Sequence, residues 1–99
     1  MPDTVRSALD RALDALDGLQ QLGEDVEDEW TYVTDLAEAW RSRLEAVAEE
    51  REDEPLSDPR AAAIDRAIDE AGLINDPHRA IDWMSTFPQV VLIALGERP

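Results

Sequence analysis

The sequence predicts an all-α fold, a small helical bundle forming a single domain over residues 1–99. Three observations predict it. Apolar residues recur at the spacing of a helix face along two long segments. Two Asp-Pro pairs, Asp58-Pro59 and Asp76-Pro77, mark helix starts further on. The one stretch of strand-like composition, Val90 to Leu95, has no second strand to pair with. With 99 residues, 43% of them apolar, the chain suits one domain with a modest core.

The first helix is expected over about residues 3–21. Asp3 or Thr4 caps it. Val5, Leu9, Ala12, Leu16 and Leu19 step by 4, 3, 4 and 3 and form one stripe, widened by Ala8 and Leu13. Gly18 lowers helix stability from inside, and Gly23 is expected just past the end as the C′ residue. The second helix is expected over about 25–50. Val26, Trp30, Val33, Ala37, Trp40, Leu44 and Val47 carry its stripe as one continuous rod. Asp25, Glu27, Asp28 and Glu29 crowd its first turn, where negative charge favours the helix dipole. The two stripes share a 3.5-residue period and a short connection, which predicts an antiparallel hairpin with coiled-coil-like packing. A two-helix unit leaves its stripe half covered, so it needs the rest of the chain or a second copy.

Residues 51–57 read as a charged linker ending near Pro55. A third helix is expected over about 59–71, capped by Asp58, with Ala61, Ile64, Ile68 and Ala71 as its stripe and Gly72 as its stop. Asp76 caps a fourth over about 77–85, with Ala80, Ile81 and Met84 inward. The residue before a proline avoids helical geometry, so Phe87-Pro88 is expected to break it and start a last piece over about 88–95, ended by Gly96. The count of C-terminal helices is thus two or three.

Charge is the outlier. Asp and Glu number 24 against 9 basic residues, a net charge of −15. All nine basic residues are Arg, with no Lys, and Ala is abundant. In composition the whole chain resembles the cytoplasmic proteins of haloarchaea. A GC-rich mesophile would also exchange Lys for Arg, but codon bias alone does not supply an acidic excess. The resemblance implies a salt-rich cytoplasm, where screening relieves self-repulsion: the screening length falls from about 10 Å at 0.1 M salt to about 3 Å at 1 M. Cysteine is absent, which removes disulfides and thiolate chemistry. The start Met1-Pro2-Asp3-Thr4 lacks the features of a secretory signal, and Val90–Leu95 is far too short to span a bilayer. A cytoplasmic location with no membrane contact is expected.

Four constellations carry candidate chemistry. Glu24-x-x-Glu27, separated by 22 residues from Glu50-x-x-Asp53, resembles the motif of the all-α nucleoside triphosphate pyrophosphohydrolases. That resemblance implies four carboxylates holding Mg²⁺, which binds a triphosphate and activates water. Yet acid pairs at i, i+3 arise about six times by chance at this acid content. On the expected helix the pairs also stand roughly 39 Å apart at 1.5 Å per residue, so that only an antiparallel dimer brings them together. His78, the only His, has Asp76 and Asp82 nearby, which reads as a solvated first turn rather than a metal ligand. Residues 72–75 give the third and fourth helices the turn length of a DNA-binding helix-turn-helix, but only His78 and Arg79 could meet phosphate. Finally Trp83, Met84, Phe87, Val90, Val91, Ile93 and Leu95 form the most hydrophobic stretch, and either core or a partner must cover it.

The function expected is therefore a non-catalytic interaction or scaffold protein of a halophilic cytoplasm. It carries no catalytic residues and no cofactor, and it partners with a second copy or another protein through that stretch. The alternatives are a small regulator, as a DNA binder or a mimic of nucleic acid, and then the Mg²⁺-dependent hydrolase.

Overall fold

The computed structural model describes residues 3–26 and 32–97. They form four helices: α1 (Val5–Glu24), α2 (Val33–Glu50), α3 (Asp58–Gly72) and α4 (Pro77–Ala94). The all-α expectation holds, and no strand occurs among the described residues; one antiparallel bridge pairs Thr4 with Pro55.

The direction of each helix follows from what it touches. Gly23 at the end of α1 meets Val33 at the start of α2, Asp17 pairs with Arg41, and the Val5 amide donates to the Glu54 carbonyl at 3.0 Å. α1 and α2 are therefore the antiparallel hairpin the sequence predicts. Arg11 reaches Asp65 midway along α3, and Leu22 near the end of α1 lines the same groove as Gly72 at the end of α3, so α3 runs parallel to α1. Ile81 of α4 lies beside Gly23, and Leu95 lies beside Arg51, so α4 returns antiparallel. The result is an up-down-up-down bundle measuring 42 × 24 × 19 Å. α1 and α4 touch each other and both remaining helices, whereas α2 and α3 do not meet. The α1–α4 pair is the centre. The open stripe of the hairpin is covered by α4 of the same chain, which answers the need for a third partner without a second copy.

The core follows the stripes read from the sequence along α1 and α2 but departs from them in α3, where Ala61 and Ile68 are half-buried and Ala67 is buried. Val5, Ala8, Leu9, Ala12, Leu16 and Leu19 of α1 are buried, as are Val33, Ala37, Leu44, Val47 and Ala48 of α2. Ile64, Ala67 and Ala71 come from α3, and Ala80, Met84, Phe87, Val91, Leu92 and Leu95 from α4 and its cap. Trp40 is half-buried against this core.

Four boundaries differ from expectation. α1 continues through Gly23, which is a helix-interior residue rather than a C′ stop. A Cβ there would stand 3.0 Å from Val33 Cγ1 and 3.2 Å from Ile81 Cγ1, so the glycine serves the close approach of three helices. The expected rod from Val26 is not formed: Val26 belongs to the turn after α1, its amide donating to the Gly23 carbonyl at 3.2 Å, and α2 starts at Val33. Glu27 and Trp30 lie outside the described residues. At α3 the capping position is Ser57, with Asp58 already in the first turn and no side chain bonded to the cap. The expected break at Phe87-Pro88 does not occur; α4 runs unbroken from Pro77 to Ala94. Pro88 removes one helix hydrogen bond and costs about 3 kcal/mol. Each large apolar side chain buried around it offsets about 1.5–3 kcal/mol, and Phe87, Val91, Leu92 and Leu95 are all buried. Packing wins over the local preference.

Other ends match. Thr4 Oγ1 accepts from the Ser7 amide at 3.2 Å, and Asp76 accepts from the His78 amide at 3.0 Å. Gly96, at φ +80, closes α4 with two capping bonds: its own amide to the Ile93 carbonyl and that of Glu97 to Leu92.

Candidate functional site

α4 has two faces, and they divide the predicted partner-binding stretch. Met84, Phe87, Val91 and Leu95 point inward and are buried. They are constituents of the chain's own core. Trp83 and Val90 are half-buried at the edges, and Ile93 is 61% exposed. The outward positions Ser85, Thr86, Gln89 and Ile93 carry no charge, and no charged residue occurs between Asp82 and Glu97. In a chain that is one-third charged, this face stands out.

Three arginines, Arg11, Arg41 and Arg51, tie elements of the bundle together. Arg11 donates to Asp3 at 2.6 Å and to Asp65 at 3.0 Å, fastening the N-terminal segment and α3 to α1. The Arg11 hydrogen bond holds the Asp3 carboxyl below its ordinary range, against the opposing effect of burial. Arg41 of α2 reaches Asp17 and, at 2.9 Å, Gln20 of α1. Arg51 donates to the Leu95 carbonyl at 3.1 Å and to Glu97 at 2.7 Å, and it pairs with Glu54. It thereby satisfies a C-terminal carbonyl of α4 from the far side of the chain. The same contact holds the Glu54 carboxyl low, by the Arg51 hydrogen bond first. The stretch expected as a charged linker is thus bound at both flanks, with Leu56 buried and its amide donating to the Asp3 carbonyl at 2.7 Å.

Of the four carboxylates in the pyrophosphohydrolase-like pattern, Glu24 is not brought to Glu50 and Asp53, and Glu27 lies outside the described residues. Glu24 ends α1 and accepts from Gln20 at 2.9 Å and Thr34 at 3.0 Å. Glu50 and Asp53 lie exposed at the opposite end of the hairpin, about 28 Å away at 1.5 Å per residue along α1. Among the described residues no group of three or more His, Asp or Glu could hold a metal ion. His78 is exposed in the first turn of α4. At the helix-turn-helix corner Arg79 is the cation beside a cleft of about 350 Å³ that Glu70, Leu73, Ile74 and Trp83 also line.

No family model, curated protein or solved structure matches this chain. The site is therefore read from its own geometry. Among the described residues no helix is long and apolar enough to cross a membrane.

Two features escaped the sequence reading. Leu73, just past Gly72, is 83% exposed, and with Ile74 and Trp83 it makes an apolar corner between α3 and α4. The signal was an apolar pair placed where a polar turn is usual. Trp83 Nε1 is buried there without a hydrogen-bond partner. The second feature, the charge-free run from Trp83 to Gly96, was visible as a gap in the acid pattern, but its division into inner and outer faces needed an unbroken α4.

Proposed function

We propose that this chain is a non-catalytic interaction protein of a salt-rich cytoplasm that pairs with a second copy through the outward face of α4. The uncharged exposed surface from Ser85 to Ile93 carries this reading. Two copies at −15 each repel wherever their acidic coats meet. A face with no charge of its own is where they approach at least cost, and Ile93 and Val90 supply apolar area to bury. The closed core supports the same reading, since association then joins folded protomers rather than completing one.

Light scattering across a concentration series in about 2 M KCl, where the screening length is about 2–3 Å, tests the proposal. The mass should rise to that of a dimer, and Ile93→Asp should return it to a monomer without loss of helicity. A monomer at every concentration removes the self-association. The hydrolase reading has its own assay: turnover of nucleoside triphosphates with Mg²⁺ would replace the scaffold reading.

A further inference from the structure

We draw no further inference here: the strongest candidate, the cleft of about 350 Å³ at the α3–α4 corner, where Glu70 and Arg79 stand beside Trp83 and its buried, unpartnered Nε1, carries nothing because nothing in the structure shows what covers it.

Discussion

At the scale of single residues, Arg11, Arg41 and Arg51 tie separate elements of an acidic bundle together. Arg51 is the clearest case, because its planar fork serves Glu54, Glu97 and the Leu95 carbonyl at once. Arg51→Met should lower stability by about 1.5–3 kcal/mol in chemical denaturation, the range for charge-assisted hydrogen bonds. Arg51→Lys should recover only part, since an ammonium lacks the fork. Asp3 gives a pH signature. Its folded pKa is depressed, chiefly by the Arg11 hydrogen bond, so the unfolded chain holds more protons in the window below about 3.9. The stability from Asp3 is therefore present above that pH and lost as pH falls through the folded value. The stability difference between the wild type and Asp3→Asn should be constant near neutrality and shrink below about pH 4; a difference unchanged to pH 2.5 (a chosen assay limit) would contradict the assigned pair. None of these pairings was legible in advance. A sequence with 24 acids offers every arginine several partners, and only the bundle's register decides among them.

At the scale of elements, the helices show where sequence periodicity suffices and where tertiary packing overrides it. The stripes of α1 and α2 were legible because an apolar step of 3 and 4 has one simple solution, a buried face. The start of α2 and the continuity of α4 were not. Acid-rich residues 25–29 look like a favourable first turn, yet Asp25 and Val26 complete a turn on α1. Pro88 looks like a stop, yet the surrounding burial keeps the helix intact. The sequence left open whether core or a partner covers Phe87, and the continuous α4 turns it inward. Phe87→Ala should consequently cost about 3–5 kcal/mol, as for a core aromatic. A loss near 1 kcal/mol would place that ring at the surface. The glycines make an opposed pair. Gly18→Ala should stabilise the chain by about 0.5–1 kcal/mol. Gly23→Ala should lose that gain, because its methyl group would stand 3.0 Å from Val33 Cγ1 and 3.2 Å from Ile81 Cγ1 and both side chains would have to give way.

At the scale of the molecule, the governing quantity is −15 of net charge around a core closed by one chain. The few ion pairs weaken as salt is added, but the acids outnumber their partners, so relief of repulsion dominates. The thermal midpoint should rise as KCl increases from about 0.1 M to about 2 M, and a flat response would deny the account of the surface. Composition made this property legible without any structure. The face left uncharged became meaningful only once α4 was seen to be whole. On the proposed reading the protomer folds alone and associates through that face. A denaturation midpoint measured over a wide range of protein concentration tests both halves together. The midpoint of the wild type should rise with concentration, while that of Ile93→Asp should stay fixed at the wild type's low-concentration value. A wild-type midpoint independent of concentration, or an Ile93→Asp chain unfolded at every concentration, would contradict it.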